Sequence, residues 1–472
     1  MSAATESTST HLTTSTLSTG DAPVIANPPR LAEGVELLGE FRNSGDSQPP
    51  SLVRRADGQV IQMSRLLYLV ASRIDGSRDA TAIADLVSDD LGRPLNADQV
   101  RYVITAKLLP LGILATNGAP RTLPRANPLL ALRARGTLLP ERAANAVGMF
   151  FRPLFRWPVI VAVLVSVAGM DYWVFAIHGL SAGAQQVLRD PVDLVVVFAL
   201  SVGSGLFHEF GHAAGCRYGG ARSGRIGVGI YLVWPSFFTN VTDSYRLSRG
   251  GRLRTDLGGL YFDLIFILAL AGLYAATSSE ILLLVIAITH LEMLEQLLPF
   301  VRFDGYFILS DLIGVPDLFA RVVPILKRAL FRDRRDPRIA GMRRNARMIV
   351  TGWVLCVIPL LVFTLGYMLL HLPAMDRALW RSSSLQAHLM ATAAAGRQYA
   401  AASADFISIF LEALPVAGSV YIVAGLARRA ATLGLRWSAG YPRRRLLVFV
   451  AALGSLTLLT LFWIADSQFS GW

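Results

Sequence analysis

Within one long apolar run the chain carries Phe207-His208-Glu209-Phe210-Gly211-His212, and this placement restricts the available folds more than any other feature. Two histidines four residues apart on a helix lie on one face, one turn from each other. Both imidazoles then reach a single Zn²⁺, and the glutamate between them can act on a metal-bound water. The surrounding segment, Pro191–Cys216, is long enough to cross a bilayer as a helix. Ionisable side chains at membrane depth are costly unless they face a partner or a functional site. His208, Glu209 and His212 are therefore candidate metal-site residues; the alternative, a pair of ordinary buried histidines, leaves that cost unexplained.

Composition agrees with a membrane setting. Hydrophobic residues make up 53% of the chain and charged residues only 17%, a balance unlike that of a soluble enzyme of this size. Apolar windows near 158–178, 192–216, 256–277, 280–301, 348–371, 404–427 and 446–465 predict about seven spans. Arginines concentrate in the segments 121–156, 217–254, 321–347 and 428–445, whereas 179–190, 278–279 and 372–403 carry few. Seven spans starting from a cytoplasmic N-terminus put every arginine-rich loop inside, as the positive-inside rule requires. The net charge of +12 thus reads as topology and contact with anionic lipid. It does not point to nucleic acid, since the basic loops lack aromatic interleaving or a binding module. Cys216 and Cys356 suggest neither a disulfide framework nor a metal knuckle. Alanine- and arginine-rich usage points to an integral protein of a bacterial cell membrane.

Residues 1–30 are rich in Ser, Thr and Ala, show no signal-peptide pattern and are expected to be a disordered tail. Residues 31–118 are expected to form a small cytoplasmic α+β domain. Ser51–Met63 predicts two short strands around the Asp57-Gly58 turn, and helices follow over Ser64–Ile74, Ala80–Asp90 and Asn96–Leu109. Asn96 is the expected N-cap of the last, with Val100, Val103, Ile104 and Leu108 on its buried side. A hairpin with three helices is winged-helix-like in outline. The Arg55-Ala56-Asp57-Gly58 turn, the Ile74-Asp75-Gly76-Ser77-Arg78 segment and Leu111-Gly112-Ile113-Leu114 give this domain a resemblance to PqqD-like peptide-recognition modules. That resemblance implies a leader peptide bound at residues 31–118 by strand addition to the hairpin edge; a generic winged-helix domain is the alternative. A basic linker, 119–156, leads to the membrane.

Zinc needs at least a third protein ligand. His11 lies in the tail, His178, His371 and His388 fall on or near the outer side, and His290 sits near the middle of the fourth span. Asp304, just past that span, is the better candidate: the second and fourth spans both run outside to inside, so its depth matches that of His208 and His212. The alternative for Asp304 is a turn aspartate before Gly305. Asp263, inside the third span, either hydrogen-bonds near the active helix or pairs with His290 or a backbone group. Glu292 and Glu295 should face the bundle interior. Residues 225–243, rich in Gly, aromatic and β-branched residues, predict a buried hairpin ending near Asn240, a candidate supporting residue. Such a strand either pairs with an extended substrate or only shields the site.

His208-Glu209-Phe210-Gly211-His212 with Pro299, Phe303-Asp304-Gly305-Tyr306 and Leu309-Ser310-Asp311-Leu312 resembles the site-2 protease family of intramembrane zinc metalloproteases, nearest its peptide zinc metalloprotease branch. The resemblance covers about 157–320. It implies that His208, His212 and Asp304 hold zinc and that Glu209 is the general base for hydrolysis by an activated water. Where the family usually has Asn three residues before the proline, this chain has Gln296, which can still hold substrate backbone or an oxyanion. The fold expected is a polytopic α-helical membrane protein with a hairpin beside the active site. A basic loop, 321–347, and a three-span region, 348–472, would complete it. The substrate expected is the leader of a ribosomally made, modified peptide. Regulated cleavage of a single-span membrane protein, or a non-catalytic role in peptide export or immunity, are the alternatives.

Overall fold

The computed structural model describes residues 24–25, 28–41, 43–55, 60–117, 133–180, 183, 191–231, 234–331 and 336–469. The chain divides into two compact units: one contains Met1–Glu40 and Pro50–Arg125, the other Phe41–Pro49 and Ala126–Trp472.

The first unit has two small sheets. Strands β1 (Val24–Ile25) and β5 (Thr116–Asn117) pair antiparallel, and β2 (Glu36–Glu40), β3 (Ser51–Arg54) and β4 (Val60–Met63) form a three-stranded antiparallel sheet in that order. The β3–β4 hairpin matches the expectation; the Asp57-Gly58 turn itself lies outside the described residues, and β2 was not anticipated. Three helices follow. In α1 (Arg65–Arg73) Ser64 is the N-cap, and in α2 (Ala80–Leu91) Asp79 accepts from the Ala82 amide at 2.8 Å. Helix α3 (Ala97–Tyr102) runs on as a π-helical turn, Val103–Leu108. Its start is a reciprocal capping box, in which Asn96 accepts from the Gln99 amide at 2.8 Å and Gln99 from the Asn96 amide at 3.1 Å. The side chains with helical spacing, Val100, Val103, Ile104 and Leu108, are all buried, against Val53, Met63, Val70, Ile83 and Val87.

The second unit is built around α6 (Pro191–Tyr218), which contains the histidine pair. Before it come β6 (Arg133–Leu139), α4 (Glu141–Phe151) and α5 (Trp157–Asp171), the last extended as a π-helix, Tyr172–His178. After it come β7 (Ile226–Tyr231) and β8 (Trp234–Thr239), the expected hairpin. The sheet order is β6-β7-β8, all antiparallel. Residues 133–151, read from sequence as linker, thus supply a strand to this sheet and a helix packed on α6. Helices α7 (Arg249–Asp256), α8 (Gly258–Thr277), α9 (Glu280–Leu297), α10 (Asp304–Ile313) and α11 (Phe319–Phe331) follow.

Three long helices end the chain: α12 (Arg344–Ala395), α13 (Tyr399–Ser438) and α14 (Pro442–Phe469). Among the described residues six helices are long and apolar enough to cross a membrane, namely those over Trp157–His178, Asp193–Tyr218, Gly258–Thr277, Arg344–Ala395, Tyr399–Ser438 and Pro442–Ala465. The expected span at 280–301 forms α9, which is not among these six; its 18 residues include Glu280, Glu292 and Glu295. A second difference concerns 372–403, expected as a loop. There α12 continues unbroken to Ala395 through Pro359 and Pro373. At 1.5 Å per residue it is about 78 Å long, more than twice the thickness of bilayer hydrocarbon. Leu446, Phe449, Leu453 and Leu461 of α14 are exposed, and none of its apolar window is buried. Water would penalise such a surface; lipid does not.

Helices α6 and α8 meet backbone to backbone. A Cβ on Gly211 would run into the Gly258 carbonyl and would lie 2.9 Å from the Phe262 Cβ, and one on Gly215 would lie 2.8 Å from the Arg254 carbonyl oxygen. Gly211 permits the approach of α8 and Gly215, one turn further on, that of α7, with small residues at the contact as in membrane helix pairs generally. We expect Gly211→Ala to cost about 1–3 kcal/mol through overpacking, read as a lower thermal midpoint in detergent. Gly272→Ala on α8, where a Cβ meets nothing within 4 Å, should leave the midpoint unchanged or raise it.

Candidate metal centre

Helix periodicity puts His208 and His212 on one face of α6, and both are buried. The chain brings Asp304 to them from the first position of α10, after extended Phe303. The His208 Nε2 atom lies 2.9 Å from Asp304 Oδ2 and 3.1 Å from His212 Nε2, and His212 Nε2 lies 3.4 Å from the same carboxylate oxygen. These three residues form a cluster with the composition and convergence of a metal site. Ligands about 2.0–2.1 Å from a tetrahedral Zn²⁺ are spaced about 3.3 Å apart, close to the edges of this triangle.

The opposite ring atoms decide which lone pairs point inward. The His208 Nδ1–H donates to Asp263 Oδ2 at 2.8 Å, and the His212 Nδ1–H donates to the Thr255 carbonyl at 2.8 Å. With both Nδ1 atoms carrying the proton, each Nε2 presents a lone pair to the other and to a carboxylate. Three acceptors facing one point fit a cation, and second partners of this kind fix ligand orientation in metal sites.

Glycine again sets the spacing. A Cβ on Gly259 would enter the His208 imidazole, and one on Gly258 would press on Gly211, so the start of α8 can lie flat against the metal-site face of α6. Glu209 is buried in the same turn, and its backbone carbonyl accepts from Thr239 Oγ1 at 3.0 Å. That bond ties β8 to the turn of α6 that carries Glu209. Among the described residues the outer edge of β8 pairs with no strand.

The other sequence candidates divide. Asp263 joins the site, through His208; of its two readings the structure shows the one beside the active helix, since His290 instead lies 3.2 Å from Asp171. Asn240 closes the turn after β8, where its Oδ1 accepts from the Thr242 amide at 3.1 Å and hydroxyl at 2.7 Å. Gln296 is half-buried in the last turn of α9 and makes no hydrogen bond among the described residues. Sequence reasoning missed the Thr255 carbonyl. Every residue has a carbonyl, so no side-chain pattern signals this role; only the adjacent Gly258-Gly259 pair hinted at a close approach.

Over 128 residues the chain is 28% identical to "Putative peptide zinc metalloprotease protein YydH" of Bacillus subtilis (strain 168), a stretch amounting to 27% of this chain and 50% of that protein. The chain therefore spans about half the length of this curated relative. No family model and no solved structure matches. Over that stretch the chain is similar to a protein of that name, and among its described residues it holds a His-His-Asp cluster that could bind a metal ion.

Asp263→Ala should weaken zinc binding about 10–100-fold, the usual effect of losing such a partner, as measured by competition with a chromogenic chelator. Asn240→Ala should leave zinc affinity unchanged, because its side chain reaches only Thr242.

Proposed function

We propose that this chain is an intramembrane zinc metallopeptidase whose metal is held by His208, His212 and Asp304. The observation that carries the reading is the triangle of two Nε2 atoms and one carboxylate oxygen, with both Nδ1 protons already committed to Asp263 and Thr255. When bound there, Zn²⁺ supplies Lewis acidity toward water and toward a peptide carbonyl. Glu209, next to His208 on α6, takes a proton from the attacking water and returns it to the leaving amine. Asp263 and the Thr255 carbonyl hold the imidazoles in the tautomer that presents Nε2.

A peptide must be extended before its bond can be attacked. The free edge of β8, fastened to Glu209 through Thr239, suits a substrate added as a further strand. The substrate we favour is the leader of a ribosomally made, modified peptide. Support comes from the first unit, whose small sheet with β2 at one edge suits capture of an extended leader on the cytoplasmic side. In this reading the N-terminus is cytoplasmic in a bacterial cell membrane.

The test is zinc content and cleavage in detergent-purified protein. Wild type and Glu209→Gln should each hold about one zinc per chain, with cleavage of a precursor peptide lowered at least about 100-fold in Glu209→Gln. Asp304→Ala should lose the metal. Absence of zinc from folded wild type would overturn the reading.

A further inference from the structure

Two short helices bring the parts of the metal centre that α6 does not supply: α7 provides the Thr255 carbonyl that orients His212, and α10 provides Asp304. Among the described residues a buried ion pair joins them, beside a carboxyl contact of Asp256 with Asp311. Arg252 of α7, with no exposed surface, donates from Nε to Asp311 Oδ1 of α10 at 2.8 Å, and its Nη1 donates to the Leu247 carbonyl at 3.1 Å. Arg252 lies one turn before Thr255 on α7, and Asp311 lies two turns after Asp304 on α10. The guanidinium is capped by the ring of Phe41, its central carbon 4.1 Å from the ring centroid, and Phe41 is itself fully buried.

Phe41 belongs to the segment Phe41–Pro49, which packs within the same unit as the metal centre although flanked in sequence by the other unit. The segment also grips the far end of α10. Gly314, with φ +78°, terminates that helix, and its carbonyl accepts from the Gly45 amide at 2.7 Å. A Cβ on Gly45 would lie 2.5 Å from the Ile313 carbonyl oxygen, and one on Gly314 would strike the Asn43 carbonyl. Further along, Asp46 pairs with Arg321 at 3.1 Å, and the Arg343 amide donates to the Gly45 carbonyl at 2.8 Å.

We propose that Arg252 is a positioning residue for the metal centre: through Asp311 and under the Phe41 ring, it fixes the placement of Asp304 relative to His212. The inference rests on the metal-site reading above. Taking a guanidinium and a carboxylate out of water is costly, and a buried pair of this kind is weak evidence for stability as such. Its placement accounts for it better, because one end is built into each of the two helices that complete the site. Arginine suits the position, since its planar fork serves Asp311 and Leu247 while its face takes the ring.

The experiment uses full-length protein in detergent, with zinc affinity from chelator competition and the visible spectrum of the Co²⁺-substituted form as readouts. Variants are Asp311→Asn, Arg252→Lys and Phe41→Leu, chosen to keep volume and, in Arg252→Lys, charge. The expected result is zinc affinity about 10-fold weaker or more, with a shifted or weakened cobalt band, in protein that still melts cooperatively. Ile281→Ala, in the core between α5, α8 and α9, should lower the thermal midpoint without moving the cobalt band. Variants that bind zinc as tightly as wild type with an unchanged band overturn the proposal while leaving the metal site intact. Should Asp311→Asn fail to fold, Phe41→Leu, which leaves the ion pair in place, decides alone. Wild type without zinc or cobalt affinity would refute the metal reading and this one together.

Discussion

Two imidazole nitrogens and a carboxylate oxygen do not gather within 3.4 Å of one another unless something forces them to. Lone pairs repel, and each group, left alone in a low-dielectric interior, would seek a donor elsewhere. Here rigid backbone prevents escape. The contact of Gly211 with Gly258 locks α6 against α8, Asp263 and the Thr255 carbonyl hold the rings from behind, and Asp304 is fixed by being the first residue of a helix rather than part of a loop. A divalent cation bound as proposed would relieve the frustration this creates. Much of the second unit reads as the apparatus that maintains it.

Six long apolar helices are compatible with a membrane setting for such apparatus. Surrounding the site are helices whose outer faces are apolar and exposed, as in α14, and which gain nothing from water. Around the site the polar groups are paired: Thr239, Asp263, Thr255 and the pair Arg252–Asp311 each have a hydrogen-bonded partner.

Much of this was readable from sequence where side-chain identity carries the signal. The His208–His212 spacing and the Asn96 N-cap are local patterns, and both are present as expected; the Gln99 half of the capping box was not anticipated. Asp304 came from matching the depth of two chain ends, a long-range inference that needed only topology. What escaped lay in relations between elements. Residues 133–139, Arg-Ala-Arg-Gly-Thr-Leu-Leu, look like a basic linker because a strand defined by its neighbour needs no strong pattern of its own. The continuation of α12 past residue 371 was hidden by Pro373, which ordinarily signals an end. Asp311 looked like one more acid in a motif until Arg252, 59 residues earlier, was found against it.

The threading of Phe41–Pro49 has a consequence for how the protein is made. The chain passes from one compact unit to the other three times rather than once, at Glu40, Pro49 and Arg125. Asp46 leaves the ribosome 275 residues before its partner Arg321, and loop-closure entropy makes such distant pairings slow to form. The metal-centre unit therefore cannot reach its final packing until α11 has been synthesised, and the nine residues that complete it wait in the meantime within sequence belonging to the other unit. Nor can the two be exchanged as cassettes: a clean cut at residue 125 would leave one unit lacking the piece that caps Arg252. Their inheritance is bound together by the path of the chain.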